Sequence, residues 1–232
     1  MNEKINVLDN GYVRLTNVMG SDLTVVNSAR VSYDKESTEL DEKDIRLIKF
    51  LARERHTSPF RHATLQFEVY APLMVARQHW KYIVGADHTM DAWNESSRRY
   101  ITEDPAFYIP KADEWRSAPE NSKQGSGETL SPAAGFIFTD ELEKFIERGE
   151  ELYNFAMEHG GICAEQARLF LPAYGMYVRY YWTASLQSVA HFLNQRLGHD
   201  SQVEIQEYAK AVYALAKPKF PVSLDEFVKT EV

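Results

Sequence analysis

The densest run of polar chemistry in the sequence is Trp93-Asn94-Glu95-Ser96-Ser97-Arg98-Arg99-Tyr100. Adjacent guanidinium forks match phosphate oxygens bidentately, and serine hydroxyls with turn amides complete an anion nest. A carboxylate and an aromatic ring beside them could orient a base. The same composition also describes a solvated surface turn, because charge clusters usually face water. A second cluster, Ala76-Arg77-Gln78-His79-Trp80-Lys81-Tyr82, spaces Arg77 and Lys81 so that both can share one helix face. Ordinary snorkelling of long side chains is the alternative there. Arg168 and Arg196 stand in segments that are otherwise apolar. An arginine in such a setting needs either an incoming anion or a salt-bridge partner, and the sequence leaves both open. His56, His62, Asp87, His88 and Asp91 are metal-ligand types, as in metal-dependent nucleotide phosphohydrolases, but no spacing among them matches a tight ligand motif. None of the 11 glycines builds a Gly-x-Gly-x-x-Gly or phosphate-loop pattern, so any nucleotide or flavin is held without those loops.

The elements that must position these residues follow from hydrophobic period and end signals. Ile5–Val7 and Tyr12–Val18 read as strands joined by the turn Asp9-Asn10-Gly11. Ser21 caps a short helix carrying Leu23, Val25, Val26 and Ala29, and Thr38 with Asp41 opens another through Ile45, Ile48 and Leu51. Residues 63–71 alternate as a strand, with Leu65, Phe67, Val69 and Ala71 on one face and Thr64, Gln66, Glu68 and Tyr70 on the other. Pro72 then suits the first position of a helix over 73–82. Residues 111–135 have loop composition and read as a surface excursion or lid. A helix over 136–159 ends at Gly160-Gly161, and a short helix before Pro172 carries Arg168. Met176, Val178, Tyr180 and Trp182 alternate as a further strand. Ser185 starts a helix with Leu186, Val189, Ala190, Leu193 and Leu197 in one stripe, flanked by Arg196. Ser201 and Glu204 read as a capping box for a last helix stopped by Pro218. Strands interleaved with longer helices predict an α+β fold, an antiparallel sheet with packed helices, in one domain spanning 1–232.

Composition bounds the function. The 232 residues are 44% hydrophobic and 12% aromatic, which supplies a real core and excludes disorder. No apolar run approaches the roughly 20 residues of a membrane span. The single cysteine, Cys163, excludes a disulfide framework and makes the cytoplasm the expected compartment. A net charge of −8 argues against general nucleic-acid binding, although an RNA-stacking module built on Trp80-Lys81-Tyr82 and Arg98-Arg99-Tyr100 is a further reading beside the metal-dependent phosphohydrolase.

The order of these clusters resembles one family. Asn94-Glu95-x-Ser97-x-Arg99-Tyr100 matches the second half of the signature of flavin-dependent thymidylate synthases. Ala29-Arg30-Val31-Ser32, His56-x-Ser58-Pro59-Phe60-x-His62, Ala76-Arg77-Gln78, Arg168-x-x-Leu171-Pro172 and Phe192-Leu193-Asn194-x-Arg196 look like its other landmarks, in the family's order. The chain departs from the commonest pattern at Lys81-Tyr82-Ile83, where Arg-His-Arg is usual, and in a short insertion before Asn94. Ser185 and Gln187 stand where Asn and Arg are common, and His191 where Asn is common. It resembles a variant branch.

The resemblance implies methylation of deoxyuridine monophosphate (dUMP) at C5 to thymidylate (dTMP). Methylenetetrahydrofolate supplies the carbon and becomes tetrahydrofolate, and FAD reduced by NADPH supplies the hydride. It implies a homotetramer with sites shared between subunits. By position, Gln78, His79, Trp80, Lys81, Glu95, Ser96, Ser97, Arg98, Arg99, Arg168 and Arg196 are expected at dUMP. Ser58, Lys81, Tyr82, Ile83, Glu95, Ser185, Leu186, Gln187 and His191 are expected at FAD. Arg196 is the expected catalytic residue, stabilising the ionised uracil ring. Cys163, with no neighbouring His, Lys or Arg to activate it, is expected to be structural.

Overall fold

The computed structural model describes residues 3–84, 91–97, 99–100, 104–120 and 125–229, apart from the side chains of Ile83 and Val84. Strands β1 (Glu3–Val7) and β2 (Gly11–Met19) form the expected hairpin. Helices α1 (Asp22–Arg30) and α2 (Glu42–Arg53) follow, the first capped by Ser21 as expected. The second is capped by Asp41 paired with Asp44; Thr38 takes no part in that cap. Strand β3 (Thr64–Pro72) runs directly into α3 (Leu73–Val84). Pro72 therefore ends the strand, where its missing N–H does no harm to the ladder, and Leu73 starts the helix.

Beyond residue 90 the chain adds strand β4 (Ala92–Glu95), helix α4 (Pro132–Glu158), helix α5 (Ala164–Ala167) and strand β5 (Tyr177–Ser185). Helices α6 (Leu186–Arg196), α7 (Val203–Ala216) and α8 (Pro221–Phe227) complete it. The five strands make one antiparallel sheet in the order β1-β2-β3-β5-β4. The α+β architecture expected from the sequence is present. Strand β4 was not expected: at four residues, with Asn94 and Glu95 exposed, it lacks the alternation of a half-buried strand.

Two further expectations are corrected. Helix α4 begins at Pro132, capped by Ser131, so the last residues of 111–135 are its first turn. A proline at the first turn and a serine before it are start signals that the loop-like composition masked. The capping box at Ser201 does not form: α7 follows Gln202, the Ser201 hydroxyl donates to the Gln195 carbonyl, and Glu204 is taken by Arg116. Residues 104–120 and 125–131 are laid against α4 and α7 by specific contacts. Trp115 Nε1 donates to Thr139 Oγ1 at 2.9 Å, and residue 135 is glycine because a β-carbon there would collide with the Ala112 carbonyl.

The sheet has two different faces. Leu65, Phe67, Val69, Ala71, Tyr180, Trp182 and Ala184 are buried against α3, α6 and α7, with Phe67 and Trp182 stacked at 5.6 Å. The other face is polar. Thr16, Gln66 and Thr183 form a ladder, and Glu68 accepts hydrogen bonds from Tyr12 at 2.5 Å, Tyr181 at 2.8 Å and Arg14. A smaller cluster around Phe107, Ile146, Tyr153 and Leu171 joins α4 to α5. Phe136, Ile137, Phe138, Phe145 and Phe155 of α4 stay exposed.

Burial pushes the Glu68 carboxyl up, but the hydrogen bonds from Tyr12, Tyr181 and Arg14 together hold it below its ordinary value. A depressed carboxyl stabilises the fold above its unfolded value and loses that contribution as pH falls through the folded one. Glu68→Gln should therefore lower the urea midpoint at pH 7, and the gap to wild type should close as pH falls below 4.5. A gap that does not change with pH would contradict this assignment.

Candidate active site

The expected site residues sort into three places. The first is a pocket of about 750 Å³ at the end of the sheet, where the β4 edge meets α5 and β5. Glu95, Ser96, Ser97 and Arg168 line it, joined by Arg77 and Arg179. Its frame is backbone. Ser96 N–H donates to the Arg179 carbonyl at 2.8 Å, and Arg179 N–H donates to Ser96 Oγ at 3.0 Å, so β4 and β5 are clasped where the serines begin. Arg99 donates to Ser97 Oγ at 3.2 Å and pairs with Glu165 at 3.3 Å, while Arg168 donates to the Glu165 carbonyl at 3.2 Å. Glu165 thus tethers two arginines at the rim. Arg98 lies outside the described residues.

Arg179 and Glu165 were missed by reading the sequence for motifs, and Arg77, noted there in the second polar cluster, was not placed at the nucleotide. Arg179 had a signal: it is the outward, charged position in an otherwise aromatic strand. Arg77 had one too, as the charged residue on a helix rooted in the core.

The second place lies between α3 and α6. Gln78 and Tyr82, four residues apart on α3, both reach Arg196 at the end of α6. The guanidinium donates to Tyr82 Oη at 2.6 Å and lies 3.8 Å over the Tyr82 ring, with Gln78 Oε1 at 3.5 Å. Burial lowers the Arg196 pKa, and its Nε is enclosed with no partner. Gln78 donates in turn to Gln202, which donates to Glu204 at 2.7 Å; Arg116 donates to the other oxygen of Glu204 at 2.5 Å. Lys81 is exposed one position away.

The third place is the start of α6. Ser58 is exposed, Arg61 donates to Gln187 Oε1 at 2.8 Å, and half-buried His191 lies one turn beyond Gln187, its pKa lowered by burial. These hydroxyl, guanidinium, amide and imidazole groups are the donor set that flavin phosphates and ribose require. The side chains of Ser185 and Leu186 are turned into the protein. Ser185 is buried as the helix cap, its hydroxyl accepting from Ser188 N–H at 3.1 Å, and Leu186 is fully in the core. The Ile83 side chain is outside the described residues.

His79 is also a core residue. Val75 and His79, one turn apart, face inward; the imidazole stacks on Phe192 at 4.1 Å and shares a 2.9 Å hydrogen bond with Tyr180. Burial pushes its pKa down to about 3, so it is neutral. Its side chain is enclosed by the fold and presents no surface to a nucleotide. Trp80 is partly exposed and packs edge-on against Trp93 at 5.4 Å.

A profile described as thymidylate synthase complementing protein matches residues 14–222. A flavin-dependent thymidylate synthase of Thermotoga neapolitana is 37% identical over 97% of this chain and 94% of its own. One from Thermus thermophilus is 36% identical over 96% of this chain and 77% of its own. The chain belongs to the flavin-dependent thymidylate synthase family. Among solved structures, the UMP/dUMP methylase PolB from Streptomyces cacaoi, bound with 5-Br dUMP, superposes with a TM-score of 0.81 at 28% identity, covering 97% of this chain and 98% of that one.

Family membership leaves the phosphohydrolase alternative without support. His56 and His62 are exposed, Asp87 and His88 lie outside the described residues, and no group of three metal-ligating side chains gathers among the described ones. No described helix is long and apolar enough to cross a membrane.

Enclosure of His79 and openness of Arg168 separate two outcomes. His79→Gln should cost stability, about 1–3 kcal/mol from a disturbed buried hydrogen bond, with dUMP affinity changed less than about twofold. Arg168→Ala should leave the melting temperature nearly unchanged and weaken dUMP binding about tenfold or more. Thermal melts and calorimetric titration of the two variants check this; the opposite pattern would reassign both residues.

Proposed function

We propose that this chain methylates dUMP at C5 to dTMP, with methylenetetrahydrofolate as carbon donor and FAD and NADPH as the redox pair. One observation carries the assignment of residues: Arg77, Arg168 and Arg179 converge with Ser96 and Ser97 on a single pocket. Three cations with two hydroxyls suit a phosphate dianion, and Glu95 at the same pocket can accept from the sugar or the ring. Arg99 joins through Ser97. Lys81, exposed at the last turns of α3, and Gln78 complete the nucleotide set.

Ser58, Gln187 and His191, with Arg61, would hold FAD at the start of α6, and Lys81 and Tyr82 would meet it at the end of α3. Bound flavin supplies the hydride that reduces the transferred carbon to a methyl group. The protein's own part is alignment and charge. Arg196 sits beside N3 and a ring carbonyl of the uracil, stabilises the ionised ring and so raises electron density at C5. Planar ligands held at short range replace a three-body encounter. Cys163, exposed and free, is not needed as a nucleophile in this route.

The chain works as a homotetramer with sites shared between subunits. The nucleotide pocket, Arg196 and the flavin residues occupy separate places in one chain, and the exposed aromatic face of α4 offers surface for a second copy. The enzyme functions in the cytoplasm, the compartment its lone free thiol suits.

Arg196→Ala should lower dTMP formation about a hundredfold, roughly 3 kcal/mol of lost charge stabilisation, with Arg196→Lys recovering only part. Cys163→Ala should keep most of the activity. Steady-state dTMP assays check both; near-wild-type turnover of Arg196→Ala, or complete loss in a folded, flavin-loaded Cys163→Ala, would overturn the mechanism.

A further inference from the structure

Arg196 is a half-buried cation whose described hydrogen-bond and ring contacts are to neutral groups. Among the described residues no carboxylate forms an ion pair with it; Asp200 contributes only at longer range. Its Nε has no partner. Arg99, paired with Glu165, and Arg116, paired with Glu204, differ in this; Arg77, Arg168 and Arg179, which likewise form no ion pair among the described residues, are exposed to solvent. The nearest acid in the Arg196 network, Glu204, is held two side chains away, behind Gln78 and Gln202, and is occupied by Arg116. What holds Arg196 is therefore Tyr82, by its hydroxyl at 2.6 Å and its ring face at 3.8 Å, with Gln78 a longer contact.

We propose that Tyr82 is the positioning residue for Arg196, gripping the guanidinium through ring and hydroxyl so that it is aimed without being neutralised. A carboxylate in this place would hold the arginine as firmly but would cancel the charge that the ionised uracil needs. A phenol adds a dipole and a quadrupole and leaves the full positive charge available. The grip also explains how this chain manages with tyrosine where histidine is usual in the family: the side chain is turned to the arginine of α6. This rests on the reading of Arg196 as the group that stabilises the ionised ring.

The test uses 5-fluoro-dUMP, whose ring ionises near neutral pH and changes its ultraviolet spectrum when it does. Flavin-loaded wild type, Tyr82→Phe, Tyr82→Ala and Arg196→Ala are compared for the ionised fraction of bound nucleotide at fixed pH and for kcat and KM with dUMP. Tyr82→Phe keeps the ring and loses the hydroxyl, and should lower the ratio of ionised to neutral ring severalfold; Tyr82→Ala should lower it about tenfold or more, toward Arg196→Ala. The losses should fall on kcat, with KM for dUMP changed less than about threefold. If Tyr82→Ala does not fold or retain flavin, Tyr82→Phe decides alone. Wild-type ionisation and kcat in folded Tyr82→Phe and Tyr82→Ala, or in Tyr82→Phe alone in that case, would overturn the proposal. Failure of the underlying reading shows separately, as wild type that makes dTMP while Arg196→Ala ionises the ring as well as wild type does.

Discussion

Everything in the candidate site hangs on the pairing of β5 with a strand on each of its edges. The register Phe67↔Trp182 and Val69↔Tyr180 sets the apolar face on which α3 and α6 pack, and His79 is locked between Tyr180, Trp182 and Phe192. The opposite edge pairs Trp93↔Trp182 and Glu95↔Tyr180, which delivers Ser96 and Ser97 to the pocket mouth. The last residue of β5, Ser185, caps α6 and so sets the axis along which Gln187, His191 and Arg196 are spaced. A slip of one residue would turn the aromatic face outward and take both serines and Arg196 out of place.

Two ways of holding arginine coexist on this frame. At the pocket beside β4, Glu165 restrains Arg99 through its carboxylate and Arg168 through its carbonyl, which on the proposed reading suits side chains that wait for a phosphate dianion. Between α3 and α6, Arg196 is restrained by a phenol and an amide, and no carboxylate among the described residues forms an ion pair with it. On the proposed reading the first arrangement favours binding and the second favours a change of charge on the bound ring. That difference is what a binding pocket needs to become a site of reaction.

Much of this was legible from residue types and spacing. The hairpin at Asp9-Asn10-Gly11, the alternation of 64–71 and 176–182, and the Ser185 cap carry local signals that tertiary packing does not override. The paired roles of Gln78 and Tyr82 were not legible, because they depend on how far α3 and α6 approach. His79 was read with its polar neighbours, although Val75 one turn earlier already placed it on the inner face. Glu204 was read as a cap because its spacing from Ser201 is right; only the fold reveals that Arg116, 88 residues away, claims it. Strand β4 is an edge made by its partner, with too few residues to announce itself.

The most direct test of the account is a single turnover. Purified protein is loaded with FAD, reduced with NADPH, freed of excess reductant, and mixed with dUMP and methylenetetrahydrofolate while flavin absorbance and products are followed. The account predicts reoxidation of the flavin with one dTMP and one tetrahydrofolate formed per flavin. Reoxidation without dTMP, or a folded protein that takes up no flavin, would contradict it.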